Sequence, residues 1–210
     1  MEKQAPSTKQ RILSEALALF SVKGFEPVTV AEIADAVGIK APSLYKHYKS
    51  KQDIFEAILV EMEARYKKQM ASMQMDGTDA GKDQALFWHI SEEQLLEAGE
   101  KLFLYFLHDD YVCKFRKMLM IEQYSNKDLA ALYAKCYVDD PLSYQGMLLG
   151  MLADAGIFIA ENPQIMALHF YAPLFLLLAL CDCHPEREKE AIQMMKQHIK
   201  QFSRLYRKEL

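Results

Sequence analysis

The sequence is poor in residues that interrupt helices, with eight glycines and seven prolines among 210 residues. It has no run of alternating polar and apolar residues that would predict a strand, and it has no internal repeat. Residues of high helix propensity, such as Leu, Ala, Met, Lys and Glu, are plentiful. Hydrophobic residues make up 51% and charged residues 26%, a globular composition that excludes long disorder. The composition therefore predicts an all-α fold.

Motifs of catalysis and cofactor binding are also missing. The sequence contains no Ser-His-Asp order, no paired catalytic carboxylates and no phosphate-binding glycine loop that we can identify. We therefore expect a protein that is not an enzyme and that uses no cofactor.

Cysteines are few, and the N-terminus has no apolar leader. The four cysteines, Cys113, Cys136, Cys181 and Cys183, follow a polar start, MEKQAPSTKQR, so we expect reduced thiols in a cytoplasmic protein. The pair Cys181 and Cys183 precedes His184, but no second Cys/His pair follows at the spacing of a structural zinc site. We therefore predict no metal site, and keep a thiol or metal sensor through Cys181 and Cys183 as an alternative.

Long hydrophobic runs are missing too. The longest wholly apolar run, Phe170 to Cys181, is shorter than the roughly 20 residues of a membrane-spanning helix and contains Pro173. We therefore expect a buried core helix and no membrane partner.

Charge is distributed unevenly along the chain. Residues up to Lys51 include eight Lys/Arg and five Asp/Glu, a net charge of +3, whereas the remainder carries −7 within a total of −4. Such asymmetry indicates a polyanionic partner for the cationic N-terminal part.

Helix-capping patterns mark the first two helices. Ser7–Gln10 has the form of a capping box, and apolar residues then recur at helical spacing until Gly24. Thr29–Glu32 forms a second capping box, which predicts a helix of about eight residues that runs to Val37 before Gly38.

A third, short helix fits residues 41–48, because Pro42 is tolerated in the first turn. Its N-cap position, Lys40, is a poor cap. Ser50–Asp53 then opens a long fourth helix, and the pattern beyond it is helical throughout, for about nine helices in all. The later helices are expected at about residues 91–108, 110–124, 126–137, 140–156, 162–183 and from 185 almost to the C-terminus.

Two short helices joined by a glycine turn are typical of a helix-turn-helix, whose second helix enters the DNA major groove. Ser43 supplies a donor and an acceptor for base edges, while Ala41 and Pro42 suit thymine methyl groups. Phosphate contacts are expected from Tyr45, Lys46, His47 and Lys51. The segment therefore predicts binding to double-stranded DNA.

Residues 7–60 resemble the DNA-binding domain of the TetR (tetracycline-repressor, AcrR-like) family of bacterial regulators. The likeness is clearest in the run TVAEIADAVGIKAPSLYKHYKSKQDIFEAIL, in its glycine placement, its Leu44-Tyr45 pair and the Lys-Ser-Lys step into the fourth helix. The resemblance implies that the family's usual DNA contacts fall on Thr29, Ala31, Ala41, Pro42, Ser43, Tyr45, His47 and Lys51. One departure is Lys40, where many members have Ser or Thr.

A single DNA-contacting helix reaches too few bases, so we expect a homodimer that presents two of them about one DNA turn apart. The last helix has an apolar stripe with spacings of three and four residues, and the helix before it is apolar nearly all round. We predict that both helices form half of a four-helix bundle across the dimer, as the resemblance also implies; the alternative is a pair that packs only within one chain. The predicted interface residues are Phe175, Ile192, Met195, Ile199, Phe202 and Tyr206.

The intervening helices are rich in Met, aromatic residues and isolated polar groups such as Glu122. Such a lining suits a small-molecule cavity, because Met adapts to irregular apolar shapes and a single polar group orients a ligand. Candidate effector-binding residues are Phe106, Met120, Tyr124, Tyr144, Met147, Met151 and Phe170. The alternative is that these residues form an ordinary core.

The sequence thus predicts a helix-turn-helix DNA-binding domain over residues 1–50 and a helical effector-binding and dimerisation domain over residues 51–210. The expected function is that of a repressor that releases a palindromic operator when a small hydrophobic or aromatic effector binds. A constitutive DNA-binding organising protein without an effector remains the main alternative.

Overall fold

The computed structural model describes residues 5–208, which contain eleven α-helices, one π-helical turn, one 3₁₀ turn and no strand. The first six helices are α1 (Thr8–Lys23), α2 (Val30–Val37), α3 (Ala41–Leu44), α4 (Lys51–Ser72), α5 (Ala80–Trp88) and α6 (Glu92–His108). The last five are α7 (Asp110–Glu122), α8 (Lys127–Ala134), α9 (Asp140–Asp154), α10 (Pro163–Cys183) and α11 (Glu188–Tyr206). The prediction of an all-α fold is confirmed.

The helix boundaries follow the capping residues. The capping boxes predicted at Ser7–Gln10 and Thr29–Glu32 are both present, with side-chain and backbone bonds made reciprocally. A third capping box at Ser91–Gln94 opens α6, and the Asn162 side chain caps α10. Lys40 makes no side-chain cap bond to α3, as expected from its residue type.

Two features of the fold were not predicted. Helix α5 begins where the Asp79 carboxylate accepts a hydrogen bond from the Gly81 N–H, within a stretch that the sequence left unassigned. Residues Lys135–Asp139 form a π-helical turn that leads directly into α9. Helix α5 is thus the one α-helix within residues 5–208 that none of the predicted segments covers, and a short 3₁₀ turn, Pro185–Arg187, precedes α11.

The chain divides into two compact units. The first comprises the residues up to Tyr66 together with Asp110–Tyr133, and the second comprises Lys67–Asp109 together with the residues from Ala134 onward. The first unit therefore continues beyond residue 50 into α4 and also takes in α7, which the sequence had placed with the effector-binding part.

The first unit is organised around α1. This helix packs against α2 and, more extensively, against α7, while α2 packs against α3. The core consists of side chains from five helices that are almost completely buried: Ile12, Leu17, Phe20, Ile33, Leu44, Ile54, Ile58, Met118 and Leu119. Burial of these side chains fixes α2 and α3 on a rigid base.

The second unit is organised around α10, which packs against α6, α9 and α11. It contains two hydrophobic clusters, one around Leu152, Met166 and Phe202, and the other around Phe103, Leu177 and Ile199. Phe170 is partly buried and packs against both clusters. Helix α10 therefore supplies side chains to most of the core of this unit.

Helix α10 is long and apolar, and some of its apolar residues are exposed. It is the one helix in the described residues that is long and apolar enough, by length and composition alone, to cross a membrane. The apolar run Phe170 to Cys181 belongs to this helix, which has 21 residues and matches the predicted range of about 162–183. The core helix of a soluble protein passes the same test; here α10 packs against three other helices, and 28% of its apolar window is buried.

Candidate DNA-binding surface

The turn between α2 and α3 is built on Gly38. Its φ of +74° lies in the left-handed region, which glycine adopts without the penalty of a Cβ atom. The Gly38 and Ile39 N–H groups donate to the carbonyls of Asp35 and Ala34, which closes the C-terminus of α2. The chain then enters α3 at Ala41 after only Lys40.

Helix α3 is one turn long, and its hydrogen-bonded turns continue past its end. The Tyr45 N–H donates to the Ala41 carbonyl, and the Tyr48 N–H donates to the Leu44 carbonyl. Leu44 is completely buried, which orients the segment, whereas Tyr45 is 52% exposed. The polar residues around Tyr45 are therefore presented outward.

The residues predicted to contact DNA fall into two groups by exposure. Thr29, Ala31, Pro42, Tyr45 and Lys46 are exposed, and Ala41, Ser43, His47 and Lys51 are partly buried. None of the nine is enclosed in the core. The structure therefore brings the predicted contact residues of α2 and α3 to the surface of one unit.

The N-terminus of α2 is stabilised by a small charged cluster. The Thr29 side chain accepts a bond from the Glu32 N–H, and the Glu32 carboxylate accepts bonds from the Thr29 N–H and from Lys23 Nζ at 2.8 Å. Hydrogen bonds from Lys23 and then Thr29 lower the pKa of Glu32 from 4.5 to about 2. The carboxylate thus stays ionised at neutral pH and fixes the start of the helix-turn-helix.

Lys51 has partners that the sequence did not predict. Its Nζ donates to the carbonyls of Phe25 and Glu26 at 2.8 and 2.9 Å, and it lies 4.3 Å from the centroid of the Phe25 ring. The phosphate contact of Lys51 stays a prediction. In the structure its ammonium group binds the turn between α1 and α2.

The predicted effector-binding residues are distributed over both units. Met120 and Tyr124 belong to the first unit, and Tyr124 is 90% exposed. In the second unit Met147 is 47% exposed, whereas Phe106, Tyr144, Met151 and Phe170 are half-buried against the hydrophobic clusters. The sequence could not separate these groups, because α7, like the helices of the second unit, contains both Met and aromatic residues.

Polar groups near these clusters already have partners. The Tyr144 hydroxyl donates to the buried Asp83 carboxylate at 2.6 Å, and the same carboxylate accepts bonds from the N–H groups of Asp76 and Gly77. Phe170 packs edge to face with Phe202, with a centroid distance of 5.0 Å.

Two open grooves, of about 370 and 450 Å³, lie between α6 and α11. Leu96, Lys196 and Lys200 line both grooves. Glu100, which forms an ion pair with Lys196 at 2.6 Å, lines only the groove of about 450 Å³. None of the predicted effector-binding residues lines either groove.

The predicted dimer stripe requires a correction. Met195, Ile199 and Phe202 are 1–4% exposed, because they pack inside the chain against residues of α6, α9 and α10. Phe175, Ile192 and Tyr206 are partly buried. The regular spacing of the stripe therefore marks the intrachain core face of α11, as in the alternative of an intrachain pair.

Other apolar residues of α10 and α11 are exposed instead. We call this set the outer face; it consists of Ile165 (49% exposed), Leu168 (46%), Leu176 (68%), Met194 (46%) and Leu205 (62%). On each helix these residues recur at intervals that place them on one side.

The cysteines are divided between core and surface. Cys181 is buried in a hydrophobic cluster with Phe103 and Leu177, whereas Cys183 is exposed at the end of α10. Within residues 5–208, no group of three or more His, Cys, Asp or Glu side chains is arranged to hold a metal ion.

The fold and this surface together have the architecture of a helix-turn-helix protein. Residues 12–58 match the family model of the bacterial regulatory proteins of the tetR family. Two curated relatives are the transcriptional regulator AcrR of Shigella flexneri, 26% identical over 61% of this chain, and the biofilm operon negative regulator IcaR of Staphylococcus aureus, 46% identical over 23% of it. The matched regions span 60% of the length of AcrR and 26% of that of IcaR.

A solved structure with the same fold is SmeT in complex with triclosan. It has a TM-score of 0.70 and 18% sequence identity, and the alignment covers 97% of this chain and 93% of the other. SmeT is the repressor of the Stenotrophomonas maltophilia multidrug efflux pump SmeDEF. Residues 12–58 thus place the N-terminal part of the chain in the tetR family of bacterial regulatory proteins.

Proposed function

We propose that this chain is a dimeric repressor that binds a palindromic DNA operator through α2 and α3. The observation that carries the proposal is the outward presentation of Tyr45, Lys46 and Pro42 beside the fully buried Leu44. Aromatic and cationic side chains beside a short helix suit phosphate contacts, which set affinity, while Ser43 faces the base edges. The relative IcaR is named a negative transcriptional regulator, and repression here follows by analogy with it.

The proposed dimer forms through the outer face of α10 and α11. Leu176 and Leu205 are each more than three-fifths exposed, and their burial against a second copy would remove apolar surface from water. Packing of two helices from each copy gives a four-helix bundle with two-fold symmetry, which matches the symmetry of a palindromic operator.

The proposed effector is a small hydrophobic or aromatic molecule that binds in the second unit near Phe170. This residue contacts both hydrophobic clusters, and the half-buried Met151 and Phe106 each pack against one of them. A ligand inserted between the clusters would find aromatic and thioether groups to contact. The complex of SmeT with triclosan shows that another chain of this fold binds an aromatic compound.

A specific observation favours the alternative of an organising protein without an effector. The Tyr144 hydroxyl is already bonded to Asp83, and Phe170 is already packed on Phe202, so a ligand would have to displace existing contacts. A filled core of this kind would leave DNA binding constitutive.

The experiment that tests the proposal combines operator selection with a ligand screen. The purified chain is used to select duplexes from a random pool, and aromatic compounds are then screened for thermal stabilisation and for release of the selected duplex. We expect a compound that does both with the wild type and with Tyr124→Ala, which changes an exposed residue, but not with Phe170→Ala.

A core that no compound stabilises, in a chain that still selects DNA, would support the organising protein. Failure to enrich any duplex would refute the proposed operator binding.

A further inference from the structure

The turn between α1 and α2 is held from two sides by opposite charges. On one side the Glu122 carboxylate, from the end of α7, accepts hydrogen bonds from the N–H groups of Phe25 at 2.5 Å and Glu26 at 3.4 Å. On the other side Lys51, from the start of α4, donates to the carbonyls of the same two residues. The backbone polar groups of this turn are thus satisfied by side chains that are distant in sequence.

The Glu122 carboxylate is buried and fixed. It is 3% exposed, and its second oxygen accepts a hydrogen bond from the Ser125 hydroxyl at 3.1 Å. Burial of a carboxylate is costly unless several donors satisfy it, so a glutamate at this place is a poor choice for packing alone. The arrangement therefore indicates a role for its hydrogen bonds.

The turn is shaped to admit this carboxylate. Gly24 has a φ of +85°, and a Cβ atom at this position would lie 2.5 Å from the Glu122 Oε1 atom. Both the backbone conformation and the close approach require glycine. Gly24, Glu122 and Lys51 thus form one structural unit, which we call the turn clamp.

The turn clamp lies directly before the DNA-contacting helices. Only Pro27 and Val28 separate Glu26 from Thr29, the N-cap of α2, and Val28 is buried. Helix α2 then leads through Gly38 into α3. A displacement of the turn would consequently change the start of α2 and the direction in which Ser43 and Tyr45 point.

We propose that Glu122 is a positioning residue for DNA binding: α7 sets the orientation of α2 and α3 through the hydrogen bonds of its buried carboxylate to the α1–α2 turn. This role rests on the proposed DNA-binding function. It assigns the glutamate, which the sequence placed among the effector-binding helices, to the DNA-binding unit.

The test compares Glu122→Ala, Glu122→Gln and the control Glu56→Ala in the full-length chain. Gln retains an oxygen that accepts from the turn and an amide that donates to Ser125, whereas Ala removes both. Glu56 is an exposed glutamate of α4 in the same unit, bonded to Gln52 at 3.4 Å. All measurements are made at a temperature at which circular dichroism shows each variant fully folded.

Two quantities are measured: hydrogen exchange of the Phe25 and Glu26 amides by NMR, and affinity for the duplex selected by the wild type. We expect Glu122→Ala to lose protection at both amides and to bind DNA about tenfold more weakly, a typical size for coupling through a contact network. Glu122→Gln should restore amide protection and bring affinity within about threefold of the wild type, because its geometry is conserved. Glu56→Ala should change neither quantity.

Each contrary result is decisive. Equal DNA affinity of the wild type and Glu122→Ala would overturn the positioning role while leaving the proposed function intact. If the wild type selected no duplex, the proposed DNA-binding function would be refuted. Hydrogen exchange of the Phe25 and Glu26 amides would then still test whether Glu122 holds the α1–α2 turn. If the Phe25 and Glu26 amides of Glu122→Ala were as protected from exchange as those of the wild type, the positioning role would be overturned. A loss of protection that extends into α2 would support it.

Discussion

The helix-turn-helix and the α10–α11 pair differ in how directly their sequences specify their surroundings. In α1 and α2 the boundaries are set by neighbouring residues: two capping boxes and two glycines with positive φ determine where these helices begin and end. In α10 and α11 apolar residues occur on more than one face of the helices, and only packing decides which of them are buried. Local hydrogen bonds are thus specified within a few residues, whereas the choice of a packing partner depends on the whole chain.

Disruption of the outer face should have the largest effect on the protein. The double substitution Leu176→Asp and Leu205→Asp places two charges on exposed apolar positions, where a second copy would have to bury them. We expect sedimentation to show monomers and operator affinity to fall by a factor of about 100 or more, since one helix-turn-helix alone contacts too few bases. Val60→Asp, at an equally exposed position of α4, should have no such effect.

The buried stripe provides the opposite control. Ile199→Ala should lower the free energy of unfolding by about 2–5 kcal/mol, because it leaves a cavity in the core of one chain, but the folded protein should remain dimeric. If the double substitution left the dimer intact, the outer face would not be the interface. If Ile199→Ala dissociated the dimer without lowering the free energy of unfolding, the interface would be the stripe that the sequence predicted on α11.

The helix-turn-helix is tested next by Tyr45→Ala. Tyr45 is half exposed and carries none of the core, so its loss should leave the unfolding transition almost unchanged. DNA affinity should fall by about 1–3 kcal/mol for all sequences if the side chain contacts phosphate. Fluorescence anisotropy with the selected duplex and with an unrelated duplex measures the loss of affinity for each. If Tyr45 only packs on its neighbours, Tyr45→Ala should lose affinity for neither duplex.

Lys51 distinguishes a structural role from a phosphate contact. Lys51→Met removes two hydrogen bonds to the α1–α2 turn and should lower the free energy of unfolding by about 1–3 kcal/mol in urea titrations. Salt dependence of DNA binding gives the second readout, because each lost phosphate contact reduces the slope of log affinity against log salt by about one. An unaltered stability would contradict the structural role, whatever the slope.

The smallest expected effect concerns pH. Since the pKa of Glu32 is lowered from 4.5 to about 2, its contribution to stability is complete above about pH 4.5 and is lost as the pH falls through about 2. The difference in unfolding midpoint between the wild type and Glu32→Gln should therefore shrink over that interval. A difference that is constant with pH would assign the stabilisation to the neutral hydrogen bonds of the capping box instead.

Features set by neighbouring residues were predicted from the sequence, whereas features set by packing between distant helices were not. The boundaries of α1 and α2 were predicted to within a few residues, because glycine turns and caps act locally. The place of α7 was not predicted: Met120 and Tyr124 resemble the aromatic and thioether residues of the second unit, and only the contact of α7 with α1 assigns them to the first. Glu122 shows the same limit, because its partner in the chain is 97 residues away.

Recognition of DNA through α2 and α3 can be measured by a hydroxyl-radical footprint of the wild type on its selected duplex. We expect two protected regions on one side of the duplex, related by a palindrome and separated by about one helical turn or a small multiple of it. Both should be lost when Lys46→Ala is combined with Tyr45→Ala. One protected region alone, or protection that persists in the double variant, would contradict DNA recognition through α2 and α3.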